Sequence, residues 1–407
     1  MAPKDGGVKR DFELARAKIL SEDGFEATCH PGVACSTCWT VTSEKKTVAR
    51  FLVYVDDVVI SGPIKWVRAV MNMVQTLWPV KVTGIMSKTP DKGLPETLFV
   101  NKMNFLGITI EMSEDGTLEM HQHQYLVTKL RDRNMLAGKG KNTLPMPCEG
   151  KLVPEIKDKS FEIRKKDAQK EVGTLMWAAL KSRPDVAVSV SIAASQVAHN
   201  PTEALRMTAG IWKYLACTVE ERMIYEPKAR TDERMILNIS TDASHSPGGN
   251  VSRTGVVVTL NEKVIHWATN RQSCTTLSSC ESEILAHLTG FKLMIGIRDL
   301  IEETWINPEV ELEGDNLAAI QTLTNEITSW RNRHYSMKAT WLRDKIKEFD
   351  VILRHKYGSL LTSDALTKVL TREKLIVARS RLNLRAKIQE SKTQEEPDTQ
   401  VQGSGGA

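Results

Sequence analysis

The sequence predicts a multidomain chain of mixed class, α/β and α+β, ending in an α/β unit on a mixed five-stranded sheet. Three observations predict it. Apolar residues follow a hairpin pattern near the start, helical spacing in the middle, and alternating strands and helices from Met235 onward. The segment PKARTDER, Pro227–Arg234, is charged and nearly free of apolar residues, so it reads as a linker. Within the last block, acidic residues fall at strand ends and helix starts, where open α/β sheets build their sites.

Taken in order, residues 1–115 hold an apolar strand pair around Ala49–Gly62 and a helix over Trp66–Leu77. In that helix Val67, Val70, Met71, Val74 and Leu77 share one face. A further strand is expected at Phe105–Met112. Residues 116–226 read as mostly helical, over Tyr125–Met135, Ala168–Lys181, Pro184–Ala198 and Ala204–Ala216. Pro184 suits a first helical position, and Pro201 punctuates the gap between two helices. After the linker 227–234, residues 235–370 form the α/β unit. Its strands are expected at Ile236–Thr241, Thr254–Leu260, Lys263–Ala268, Val310–Glu313 and Val351–His355. Its helices are expected at Glu281–Glu303, Asn316–Thr324 and Tyr335–Phe349, with another from about Ser363. Residues 371–407 continue as a helical extension, then a polar tail beyond Arg385 that lacks periodicity and is expected to be disordered. No internal repeat is apparent.

The composition is that of a globular protein, with 41% hydrophobic and 26% charged residues. A net charge of +5 permits a polyanionic partner without demanding one. Seven cysteines, an odd count scattered over the chain, argue against a disulfide framework and for a reducing compartment. Cys35 and Cys38 make a lone CxxC with only His30 close by, which reads as two ordinary thiols rather than a zinc site. The start lacks the apolar core of a secretory signal, and no run is long and apolar enough to span a membrane. The expected location is therefore intracellular, in a cytoplasmic particle or the nucleus, with no membrane partner.

Four carboxylates of the last block stand out. Asp242 and Asp315 follow strands, Glu283 lies in the first turn of a long helix, and Asp364 lies near the start of the last one. Any one of them alone reads as an ordinary cap. Together they offer hard oxygen ligands suited to Mg²⁺ or Mn²⁺.

The segments STDAS, SSCESEILA, EGDNLAAI and SDALTK resemble, in order, the four RNase H motifs in the Pol polyprotein of copia-type LTR retrotransposons. His266–Trp267, Gln272 and the stretch Arg331–His334 fit the same pattern. The resemblance implies an RNase H-like unit that hydrolyses RNA in RNA–DNA hybrids with two divalent ions. It implies Asp242, Glu283, Asp315 and Asp364 as metal ligands, Asp242 bridging both ions. Glu281 competes for the helix position, but Glu283 is followed by Ile284–Leu285–Ala286 as the motif requires. Two residues apart, Glu281 and Glu283 lie on different helix faces. His355 matches a loop histidine implicated in product release, the alternative being a structural histidine ending a strand. The chain departs from the pattern after Asp242, where it reads SHSPGGNVSRTG, and at Ser282.

Upstream, Tyr54-Val55-Asp56-Asp57 resembles the YxDD motif of a reverse transcriptase palm, with Asp56 and Asp57 as its metal ligands. Asn104–Gly107, Gln124-Tyr125, Leu144–Met146, Gly173–Trp177, Arg183–Val186 and Lys213–Leu215 extend the likeness. The resemblance implies a truncated palm over 1–115 and a helical thumb and connection over 116–226. Palms of this type need a third carboxylate well upstream. Nothing before Tyr54 matches, since Asp11 and Asp23 have the wrong surroundings. The expectation is that the chain makes no DNA alone, and that its partners are RNA, DNA, their hybrid, and the rest of a Pol polyprotein or a complete polymerase subunit. The competing readings are a nucleic-acid-binding relic without catalysis and a structural subunit.

Overall fold

A computed structural model describes residues 26–29, 38–44, 46–54, 57–77, 79–136, 143–146, 153–227, 234–247, 251–302, 308–324 and 333–386. Asp11, Asp23, His30, Cys35, Asp56, Arg331 and the tail from residue 387 lie outside these, as does the side chain of His334.

The first sheet is antiparallel, in the order β1 (Glu26–Cys29), β2 (Cys38–Ser43), β3 (Lys46–Tyr54), β4 (Asp57–Ser61). Along β3 the buried residues are Ala49, Phe51 and Val53, the two-residue period of a strand with one face on a core. That core receives Val70, Met73 and Val74 from α1 (Ile64–Leu77).

The second sheet takes its strands from distant parts of the chain. Its order is β14 (Leu384–Ala386), β8 (Glu221–Tyr225), β7 (Leu118–His121), β6 (Ile108–Met112), β5 (Lys102–Phe105). Two expectations need correction here. The strand expected over Phe105–Met112 is a hairpin, because Leu106 and Gly107 both take positive φ, 50° and 72°, and turn the chain. The region expected to be mostly helical also contains β7 and β8. Their charged residues hide them, since Arg222 of β8 is buried by donating to Glu111 at 2.8 Å and Glu119 at 2.7 Å.

Helices α2 (His123–Arg131), α3 (Phe161–Lys181), α4 (Ala187–Gln196) and α5 (Pro201–Cys217) lie between those strands in sequence. The helix expected to reach Met135 stops at Arg131, with Asn134 at φ 56°. Pro184–Val186 forms a 3₁₀ turn that leads into α4. Asn200 caps α5, its side chain accepting the Glu203 amide at 3.0 Å, and Pro201 occupies the first helical position.

The third sheet has the order β11 (Lys263–Arg271), β10 (Arg253–Leu260), β9 (Ile236–Ser244), β12 (Glu309–Gly314), β13 (Ile352–His355). The first three strands are antiparallel, and β12 runs parallel to β9 and β13. This is the expected mixed five-stranded sheet of an RNase H-like α/β unit. Helix α6 (Ser279–Glu302), α7 (Leu317–Thr324) and α8 (Arg333–Glu348) cover one face.

The other face of this sheet is also covered. Val256 and Val258 of β10 point into the core under α6, whereas Val257 points into a core shared with α3, α4 and α5. Burial on both sides explains why β10 reads as an unbroken valine run. Val264, Trp267, Ala365 and Leu366 join the same second core, along with Leu375 and Ala378 of α9 (Arg372–Arg381). Polar ties reinforce it: Tyr225 donates to the Val264 carbonyl at 3.0 Å, and Arg253 donates to Ser191 Oγ at 2.6 Å. Among the described residues no helix is long and apolar enough to cross a membrane.

Candidate metal centre

Three of the expected carboxylates converge. Asp242, Glu283 and Asp315 each place an oxygen within 4.8 Å of the others. Asp242 was expected just past its strand; it sits inside β9, paired opposite Gly255 of β10. The strand runs on to Ser244 because the β10 pairing continues there. Gly255 is required at that register. A Cβ on it would stand 2.8 Å from the Ser363 carbonyl and from Thr367, so its absence lets that segment close over Asp242.

Glu283 lies in the second turn of α6, not the first. Its Oε1 accepts the Ala243 amide at 3.1 Å, which fixes it beside Asp242. Its Oε2 is buried with no hydrogen-bond partner among the described residues. Glu281 serves the helix start instead. Its amide donates to Ser278 Oγ at 3.1 Å while its carboxylate accepts the Leu277 amide at 2.8 Å, a form of capping box. Asp315 follows β12 as expected, and Gly358 passes it so closely that a Cβ would lie 2.6 Å from its Oδ2.

Burial, then the neighbouring Asp242 and Asp315, push the Glu283 carboxyl up to about 9. Burial also raises Asp242, with Asp315 and Asp364 adding to it and Lys368 and Thr367 opposing. Packed carboxylates with an orphaned, buried oxygen are a donor set that a hard divalent cation would relieve.

Asp364 stands apart from this group. The helix expected from about Ser363 is only a 3₁₀ turn over Thr362–Leu366, and α9 starts later. Hydroxyls divert the local chain from helix: Ser363 Oγ lies 3.0 Å from Ser240 Oγ, and Thr367 donates to Asp242. Asp364 instead meets Lys368, whose Nζ is 2.5 Å from its Oδ1 and 3.4 Å from Asp242 Oδ2. His355 ends β13, with Nε2 3.0 Å from the Asp315 backbone carbonyl and its ring edge against Tyr357.

Sequence reasoning missed His287. It lies one turn beyond Glu283 on the same face of α6, fully buried, with Nδ1 2.5 Å from Thr241 Oγ1. Burial lowers it to about 4, so it is neutral there. It also packs against Gly314, where a Cβ would fall 2.3 Å from its ring. His287 thus wedges between the residues that precede Asp242 and Asp315. The spacing of four from Glu283 was the available signal.

In the first sheet, Asp57 starts β4, exposed and paired opposite Tyr54 of β3. Among the described residues, Asp242, Glu283 and Asp315 are the one group of three or more candidate ligands.

The class defined by this sheet order is an RNase H-like α/β unit, joined to helices and a second sheet. Over most of its length the chain is similar to the Pol polyproteins of retrotransposons. It is 26% identical over 337 residues to the retrovirus-related Pol polyprotein from transposon TNT 1-94 of Nicotiana tabacum, covering 79% of this chain and 23% of that one. It is 27% identical over 342 residues to that from transposon RE1 of Arabidopsis thaliana, covering 82% and 21%. It is 24% identical over 371 residues to the truncated transposon Ty1-A Gag-Pol polyprotein of Saccharomyces cerevisiae, covering 88% and 29%. The chain therefore spans less than a third of the length of each of these relatives. No family model matches it. Among solved structures, it is similar to RNase H1 of Halobacterium salinarum, at 15% identity and a TM-score of 0.27, covering 32% of this chain and 94% of that one. It is also similar to the prototype foamy virus protease–reverse transcriptase, at 13% identity and a TM-score of 0.24, covering 38% and 21%. Strand order, rather than these slight overlaps, defines the fold.

Proposed function

We propose that the chain is a reverse transcriptase/RNase H fragment whose working site hydrolyses the RNA strand of RNA–DNA hybrids with Mg²⁺ or Mn²⁺. The observation that carries this is the convergence of Asp242, Glu283 and Asp315, with the Glu283 Oε2 buried and unpartnered. Those three residues and Asp364 would hold the ions. Bound divalent ions would supply an acidified water and offset charge on the scissile phosphate. The protein's own part is positional. The Ala243 amide aims Glu283, Thr367 aims Asp242, and the β13 loop with His355 borders Asp315. His355, beside Asp315 and open to solvent, is suited to product release. Grip on the hybrid would come from backbone phosphates and 2′-hydroxyls, so binding should weaken steeply with salt.

For the first sheet the reading is a polymerase remnant. Asp57 is present in its hairpin, but no residue before Tyr54 matches the upstream palm carboxylate. The role proposed for this part is a supporting one, beside a complete polymerase subunit or the rest of a Pol polyprotein, with no primer extension by the chain alone.

The test is cleavage of a labelled RNA–DNA hybrid in Mg²⁺ or Mn²⁺, comparing the chain with Asp315→Asn. Cleavage that the variant abolishes is expected. Absence of cleavage by the folded chain in both metals would replace this reading with a non-catalytic, nucleic-acid-binding relic.

A further inference from the structure

We propose that the ammonium of Lys368 holds the place of a second divalent cation, so that the chain binds one such ion tightly and a second only after Lys368 is displaced. The proposal rests on the metal-dependent reading above and divides its site unequally.

The four carboxylates do not form one ring. Asp242, Glu283 and Asp315 share a cluster with ligand atoms within 4.8 Å of one another. Asp364 faces Lys368 instead, with Nζ 2.5 Å from its Oδ1. The same Nζ lies 3.4 Å from Asp242 Oδ2. Asp242 is therefore shared between the cluster and the lysine. Any cation bridging Asp242 and Asp364 would need the space between two oxygens that the ammonium already spans.

A lysine suits that role. Its ammonium is a compact point charge with three donors, so it can neutralise two carboxylates without fixed coordination geometry. Its segment is seated by the sheet: Thr367 donates to Asp242, and the Thr367 amide donates to the Asp364 carbonyl at 3.3 Å. Missing bulk at Gly255 is what admits this segment. Yet the Lys368 side chain is 45% exposed, so it can swing into solvent when a stronger cation or a substrate phosphate competes. One resident charge at this place must oppose a second of the same sign only a few ångströms away.

Binding of MnCl₂ to the full chain, followed by isothermal titration calorimetry, tests this without any turnover. The wild-type chain is expected to bind one tight Mn²⁺. Lys368→Met and Lys368→Gln should each add a second ion or tighten it by about tenfold or more. Lys368→Arg should keep the wild-type stoichiometry. Two equally tight ions in the wild type, or a stoichiometry and affinity that neither neutral variant changes, overturns the role of Lys368 while leaving the metal site intact. No Mn²⁺ on any of these chains, each folded by circular dichroism, overturns the metal site itself along with it.

Discussion

The indole of Trp267 donates to the backbone carbonyl of Ala179 at 2.7 Å, tying the third sheet to the helix α3 that packs across it. Trp267 is buried in the core that also holds Leu175, Ala178 and Ala179. The sheet and the helical layer therefore share their apolar surface. Trp267→Ala should cost about 3–5 kcal/mol through the cavity and the lost hydrogen bond. It should do so in a single urea transition seen alike by helix and sheet probes. An unchanged midpoint would mean that the two layers are energetically separate.

Arg183 and Asp185 form a fully buried ion pair at 2.7 Å, and Tyr214 donates to the same carboxylate at 2.7 Å. Deleting one partner strands the other charge away from water. Asp185→Asn should lower stability by about 3–5 kcal/mol. By contrast, Arg206→Ala, which removes a solvent-facing pair with Glu203 at 2.5 Å, should cost less than about 1 kcal/mol. Denaturant midpoints of both variants check the contrast, and similar losses would contradict it.

Two buried groups near the candidate site give stability opposite dependences on pH. In the fold Glu283 keeps its proton to about 9, against 4.5 for the ordinary group. Between those values the folded chain binds the extra proton, so stability in chelator should fall as pH rises through that window. Glu283→Gln should flatten the slope, and Mg²⁺ or Mn²⁺ should offset it. His287 acts the other way. It stays neutral in the fold down to about 4, against 6.5 for the ordinary group, so its contribution is lost as pH falls across that range. His287→Asn should reduce the acid-side loss. Melting temperatures across pH 5 to 9 would reveal either slope, and variants that track the wild type would refute the assignment.

His355 touches the Asp315 backbone, not its carboxylate. If it serves product release, His355→Ala should lower steady-state turnover severalfold and leave single-turnover cleavage nearly unchanged. Equal loss in both would move His355 into the chemistry or into holding Asp315 in place.

Much of the third sheet was legible because its strands alternate with long amphipathic helices and turn residues. The converging carboxylates were legible through their motifs. What escaped had physical causes. Leu106 hid a hairpin because an apolar residue at positive φ looks like more strand. Short strands β7 and β8 were hidden by charges that pair across the sheet, as Arg222 does with Glu119. Asp364 lies in a 3₁₀ turn rather than near the start of a helix because the Ser363 and Thr367 hydroxyls bond Ser240 and Asp242. His287 escaped because a lone histidine on a helix face ordinarily means core.

The last strand, β14, lies between Leu384 and Ala386 but pairs with β8, which ends at Tyr225. During synthesis, then, the second sheet waits with an open edge while the whole third sheet and its carboxylates are made. Ribosome order and spatial order disagree here. A chain released before residue 384 would carry every candidate metal ligand and still leave β8 unpaired on one side, a template for joining another strand. Loss of the chain from residue 384 onward should therefore be felt first as aggregation of nascent protein, well before any change at the site itself.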